Sequence, residues 1–282
     1  AFTTTLGTIT PTLGTTSQGV VTATLTSETR VGRATVTSQV DSLVEMTVVD
    51  FLAGPPFTLT VEAYPTSLPA DGVSTATITA TVRDEWGNLV ADGTSVAFTT
   101  TLGTITPALS TTSQGVATAS LTAGAEVGTA EVTVTVDSRT GSTTVDFIPG
   151  PPFTLTVEAY PLSIPADGVS TSTITVTVRD QWDHPVADDT VVAFTTTLGA
   201  FPTGQTYMTA TINGIATATL TSATEEGTAI VSIVVEPIPA PGTVEIAFAY
   251  HRIYLPLIQR AFSPPSATLR RSFALSARRR LP

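Results

Sequence analysis

Thr75-Ala76-Thr77-Ile78-Thr79-Ala80-Thr81-Val82 alternates threonine with an aliphatic residue at every step. Successive side chains of a β-strand point to opposite faces, so this stretch reads as a strand with one buried and one solvated face. Threonine, branched at Cβ, fits the exposed side of a pleated surface. Upstream, Leu59, Val61 and Ala63 alternate with Thr58, Thr60 and Glu62; Pro65 and Pro69 then break the pattern, and Asp71-Gly72 supplies a turn. Downstream, Arg83-Asp84 ends the strand and Glu85-Trp86-Gly87-Asn88 forms a loop. Val96 and Phe98 face inward on the next strand, and Gly103 and Pro107 punctuate a less regular crossing. Ala117, Ala119 and Leu121 make another inward row, followed by Ala130, Val132, Val134 and Val136. Gly141 reads as a turn, after which Val145 and Phe147 close the unit. About seven strands with turn signals every 8–12 residues or so match a two-sheet sandwich. Each strand has one apolar and one Thr-rich face, so the sheets are expected to be antiparallel.

The unit is repeated. Ala97-Phe98-Thr99-Thr100-Thr101-Leu102-Gly103 also begins at Ala1 and at Ala193, a spacing of 96 residues each time. Gly54-Pro55-Pro56-Phe57-Thr58-Leu59-Thr60-Val61-Glu62-Ala63-Tyr64-Pro65 returns residue for residue at Gly150 to Pro161. A period this long copies a whole domain rather than a short solenoid unit. The expected division is a partial domain at 1–53 that lacks its first strands, complete domains at 54–149 and 150–249, and a basic tail at 250–282. Opening in mid-pattern, the chain reads as part of a longer array, and its remnant is expected to expose a raw sheet edge. The third copy gains about three residues between Gly199 and Gly214 and about two between Val235 and Phe248, both where loops are expected. The joints, Phe51 to Phe57 and Phe147 to Phe153, are short and stiffened by proline, with phenylalanines placed to pack across them. Strands of about 30 Å laid end to end give a rod of about 80–100 Å.

Composition agrees with this architecture. Hydrophobic residues make up 41% and charged residues only 12% of the 282-residue chain, which argues against disorder in its body. There is no cysteine, so neither disulfides nor thiolate metal sites can form. Seven of the twelve arginines and no acid lie beyond Tyr250, which leaves the body with 23 acids against 5 arginines, a net charge of −18. Such a body repels nucleic acid and anionic membranes. No apolar run reaches the roughly 20 residues needed to cross a bilayer as a helix.

The residues also resemble a known family. Pro69-Ala70-Asp71-Gly72-Val73-Ser74-Thr75, then Val82-Arg83-Asp84, Gly87-Asn88, Val90, Gly93, Val96 and Phe98 are similar to the bacterial Ig-like group 1 (Big) domain of invasin- and intimin-type adhesins. Ser113-Gln114-Gly115-Val116-Ala117-Thr118-Ala119 and Val127-Gly128-Thr129-Ala130 match the second half of the same pattern. The resemblance covers both complete copies and the remnant. It implies tandem Ig-like β-sandwiches in an all-β rod, on the bacterial cell surface or outside the cell, that hold a binding domain away from the cell. A lectin-like tip has no counterpart in this chain, so the resemblance carries over the stalk role and not receptor binding.

Candidate sites are few. Neither a nucleophile elbow, a phosphate loop nor a paired-histidine motif is present, so no catalytic, cofactor or metal residues are assigned. His184 stands where the second copy has Asn88 and reads as a turn substitution. Asp180, Asp183, Asp188 and Asp189 surround one loop, but their spacing is irregular for calcium and turn-forming aspartate explains them better. Trp86 and Trp182 occupy one equivalent loop in an aromatic-poor chain. They either cover an open end of the sandwich or contact a partner, namely a glycan or a host-cell or matrix protein. In the tail, the apolar run containing Tyr254, Leu255 and Pro256 precedes Arg278, Arg279 and Arg280. That order reads as envelope retention or as a disordered end, and it lacks the Leu-Pro-x-Thr-Gly motif of transpeptidase anchoring. The expected function is a non-enzymatic stalk whose partners are its own neighbouring domains. The alternatives are a binding module acting through the tryptophan loops and a spacer within a larger secreted enzyme.

Overall fold

The alternating stretches become strands in a computed structural model that describes residues 1–250; the tail residues Tyr254, Leu255, Pro256, Arg278, Arg279 and Arg280 lie outside the described residues. No helix occurs among the described residues. The first copy contributes β1 (Phe2–Thr4), β2 (Thr8–Thr10), β3 (Thr24–Thr26), β4 (Gly32–Val40) and β5 (Leu43–Phe51). They form a β1-β4-β5 sheet and a separate β2-β3 pair. Only Ile9 and Ala34 are buried hydrophobic residues in this copy. β5 is one of the two edge strands, and Val44, Met46 and Val48 on its outward side are exposed where the second copy has Thr140, Ser142 and Thr144.

The second copy comprises β6 (Thr58–Tyr64), β7 (Ser67–Pro69), β8 (Thr75–Arg83), β9 (Ser95–Thr100), β10 (Thr104–Thr106), β11 (Leu109–Thr111), β12 (Val116–Thr122), β13 (Gly128–Val136) and β14 (Arg139–Ile148). The order β10-β12-β8-β6 makes one sheet and β11-β9-β13-β14-β7 the other. Their apolar faces meet in a core that includes Ile78, Val82, Phe98, Leu121, Val132 and Phe147. The third copy repeats the plan with β15 (Thr154–Tyr160), β16 (Ser163–Pro165), β17 (Thr171–Arg179), β18 (Val191–Thr196), β19 (Thr206–Ala210), β20 (Ile215–Thr221), β21 (Gly227–Val234) and β22 (Gly242–Ala249). Its sheets are β15-β17-β20 and β16-β22-β21-β18-β19.

Several expectations need correction. The sheets are not wholly antiparallel: β7 runs parallel to β14, and β16 to β22. After Pro65 the chain leaves the first sheet, and β7 joins the second beside the domain's last strand. The whole domain then serves as the crossover that a parallel pair requires, so no helix is needed. Gly141 is not a turn. The turn lies at Asp137, which has positive φ (49°), and Gly141 sits inside β14 opposite Val134. A Cβ there would come within 3.0 Å of Val61 and 3.4 Å of Leu59, so glycine lets the strand pass beneath β6. Gly242 plays the same part in β22 beneath Leu155 and Val157.

The longer insertion in the third copy is also more than a loop. It carries the buried Phe201, whose ring lies 6.0 Å from both Phe194 and Tyr207, and β19 pairs with β18 over five positions. Nor do the joint phenylalanines pack as a set across the joint. Phe147 is sealed in its own domain's core, whereas Phe153 is 58% exposed. Phe57 lies beneath the guanidinium of Arg139, which is 4.8 Å from the ring centre and belongs to the same domain.

Candidate functional site at the domain joints

The two tryptophans lie at the joints, each on the loop that follows the longest strand of its sheet. Asp84 closes β8 with its carboxylate turned inward and 2% of the residue exposed. It accepts from the backbone N–H of Trp86 (3.0 Å) and Asn88 (2.8 Å), which folds the loop around it. It also accepts from the N–H of Gly54 (3.0 Å), the first residue of the Gly-Pro-Pro joint. Asp180 repeats this pattern with Trp182 (2.9 Å), His184 (2.9 Å) and Gly150 (2.8 Å). One buried carboxylate therefore fixes both the loop and the point at which the chain enters the domain. Burial alone would raise the pKa of each aspartate, but the donated hydrogen bonds outweigh it and hold both below the usual carboxylate value.

The tryptophan rings lie over the same glycines. A Cβ on Gly54 would be 3.2 Å from the Trp86 ring, and one on Gly150 would be 3.0 Å from that of Trp182. Close approach of the ring to the backbone explains glycine at the head of each joint. Exposure differs between the two copies, at 57% for Trp86 and 37% for Trp182. The shorter insertion accounts for the difference, since Pro237, Ile238 and Pro239 line a cleft of about 400 Å³ together with Trp182, Phe153 and Pro152. Trp86 instead borders a cleft of about 510 Å³ between the first and second copies, with Glu28, Arg30, Asp50 and Asn88 among its walls.

The fourth residue after each aspartate reaches the preceding domain. Asn88 donates through Nδ2 to Asp84 Oδ2 (2.9 Å) and to the Thr29 carbonyl (2.7 Å), while its Oδ1 lies 3.4 Å from the Val31 N–H. At the next joint His184 occupies this place, with Nδ1 2.9 Å from Asp180 Oδ2 and Nε2 2.8 Å from the Ala125 carbonyl of the second domain. Its side chain is 17% exposed. Sequence reading found the substitution but missed the bridge, because the partner is a backbone carbonyl 59 residues away.

The remaining aspartates of that loop are similarly engaged. Asp188 accepts from the Asn213 N–H (2.7 Å), Asp183 lies 3.5 Å from Arg179, and Asp189 turns the chain at φ 65°. Among the described residues, no three His, Cys, Asp or Glu side chains converge as metal ligands would. Asp71 and Asp167 cap the turns that follow Pro69 and Pro165. Asp71 accepts from the N–H groups of Val73 (2.9 Å) and Ser74 (2.7 Å) and from the Ser74 hydroxyl (2.6 Å), and Asp167 does the same with Val169 and Ser170.

Comparison with known proteins points the same way. The family described as Invasin, domain 3, matches the chain twice, over residues 56–150 and 152–250. Among solved structures, Yersinia pseudotuberculosis InvD is 25% identical with a TM-score of 0.50, over 68% of this chain and 58% of that one. The Escherichia coli adhesin FdeC is 18% identical with a TM-score of 0.53, over 80% of this chain and 76% of that one. Invasin, a bacterial integrin-binding protein, is 32% identical with a TM-score of 0.39, over 69% of this chain and 40% of that one. The chain thus spans little more than half of InvD and less than half of invasin. Two tandem matches over more than half of the sequence, on an all-β Ig-like fold, make this chain a member of the invasin domain 3 family of bacterial adhesin domains.

Proposed function

We propose that the chain is a non-enzymatic stalk segment of a bacterial surface adhesin, spacing a binding region from the cell. The observation that carries this reading is the construction of the joints. In both of them one buried aspartate holds the entering glycine, and one side chain four residues later bonds the preceding domain. Side-chain bonds across each joint restrict the relative motion that linked domains otherwise show, as a spacer of defined reach requires. Host proteins or glycans would then be met by regions beyond this chain.

A test combines shape with binding. Small-angle scattering of the chain should give a rod with a longest dimension of about 80–100 Å. Immobilised extracellular-matrix proteins, glycan arrays and cultured epithelial cells should capture it no better than an unrelated β-sandwich. The second reading rests on Trp86, which is more than half exposed on the wall of a cleft lined by both charged and apolar residues. Under that reading the chain binds one of these surfaces, and Trp86→Ala abolishes the capture. Saturable capture lost in Trp86→Ala would replace the stalk reading by the binding-module reading.

A further inference from the structure

His184 faces two groups that can only accept hydrogen bonds. Nδ1 lies 2.9 Å from a carboxylate oxygen of Asp180, and Nε2 lies 2.8 Å from the carbonyl oxygen of Ala125. A neutral imidazole carries one N–H and one lone pair, and only the imidazolium donates at both nitrogens. With its proton on Nδ1, the neutral ring keeps Asp180 and turns a lone pair toward Ala125. With the proton on Nε2, it keeps Ala125 and turns the lone pair toward a carboxylate. The first is the less costly choice, so loss of the proton releases the bond that crosses the joint.

The preceding joint offers a comparison within the same chain. Asn88 faces the equivalent pair, the Asp84 carboxylate and the Thr29 carbonyl, and meets both with the two protons of a single amide nitrogen. That amide does not titrate. We propose that the joint between the second and third domains is a pH-sensitive clamp, closed by the protonated His184 ring and loosened by its deprotonation, whereas the joint before it does not respond over the range in which a histidine titrates. The inference concerns the joint itself and holds whether the chain is a spacer or a binding module.

The charges around the ring favour the closed form. Asp180 and Asp183 face it from its own loop, and Arg179 is occupied by the Asp183 carbonyl (2.6 Å) and carboxylate (3.5 Å). Across the joint, Glu126 follows Ala125 in the chain, but the acids that act on the ring are Asp180 and Asp183. The hydrogen bond to Asp180 raises the His184 pKa above its ordinary value of 6.5, against a smaller opposing effect of burial. For a raised histidine the contribution is complete below the ordinary value and is lost as pH rises through the raised one. The clamp is therefore closed in mildly acidic surroundings and opens on the alkaline side.

The chain contains no cysteine, so spin labels can be placed at will. Thr118→Cys and Thr217→Cys put labels at exposed positions on β12 and β20, one in each of the two domains. In the full-length chain, pulsed dipolar spectroscopy should give a narrow distance distribution at pH 5.5 and a wider one at pH 9. His184→Asn should keep the distribution narrow at both, since asparagine already serves the preceding joint. Asn88→His, with labels flanking the first joint, should create the same pH response there. A wild-type distribution unchanged with pH, an equal widening in His184→Asn, or a His184→Asn chain already broad at pH 5.5 would each overturn the proposal.

Discussion

Asp84 and Asp180 illustrate how much of this fold rests on single residues. Asp180 receives the N–H groups of Gly150, Trp182 and His184 and the His184 ring, so its removal strands one buried and several part-buried donors together. Leaving buried donors unpaired costs more than the net worth of the hydrogen bonds themselves. Asp180→Ala should therefore destabilise the third domain by about 2–4 kcal/mol, read as a lower calorimetric transition for that domain alone. Acid should act through the same carboxylates. The pKa values of Asp71, Asp84, Asp167 and Asp180 are all held below the ordinary 3.8 by the hydrogen bonds they accept. A depressed carboxylate contributes stability that is present above its unfolded value and lost as pH falls through the folded one. The thermal transition should thus be flat in this respect above about pH 5 and fall steadily below about pH 4.

At the scale of the strand, glycine inside β14 and β22 marks where the first strand of each domain crosses the last. Gly141 lies under Leu59 and Val61, and Gly242 lies under Leu155 and Val157, the latter 2.7 Å from where a Cβ would stand. Neither Gly141 nor Gly242 has positive φ, so space alone is at issue. Gly242→Ala should cost about 1–3 kcal/mol through overpacking against β15, with circular dichroism showing an intact sheet and a lower melting point. The first copy has Glu45 at the position corresponding to Gly141, and no strand among the described residues covers it there. This crossing was not legible in the sequence, because glycine in a Thr-rich run resembles turn punctuation as readily as a packing contact. The strands themselves were legible, since period-two alternation follows directly from which face is buried, as Ala76 to Val82 show. The parallel β7 and β16 were not, because three residues carry too little pattern to reveal a partner. The tryptophan loop was found as a feature, but the contact of its rings with the joint glycines depends on tertiary placement.

For the whole chain, the three copies test how much of a sandwich is needed to hold a sheet together. β4-β5 and β13-β14 are the same hairpin with the same register, nine paired positions each. Their local hydrogen bonding is alike, so a difference in protection must come from what covers them. Ala130, Val132, Val134, Val136, Val145 and Phe147 are all buried beneath the opposing sheet. Of their counterparts in the first copy only Ala34 is buried, while Val40 and Val49 are exposed at 55% and 40%. Fully burying one aliphatic side chain contributes about 1.5–3 kcal/mol. Local opening of β4-β5 should therefore need several kcal/mol less than opening of β13-β14. Native-state hydrogen exchange on the 282-residue chain measures both hairpins in one experiment. Amides of β4-β5 are expected to exchange at least about 100-fold faster than their β13-β14 equivalents, which corresponds to about 2.7 kcal/mol. Equal protection would mean that the hairpin is held by its own backbone ladder, and that the sandwich core adds little to it.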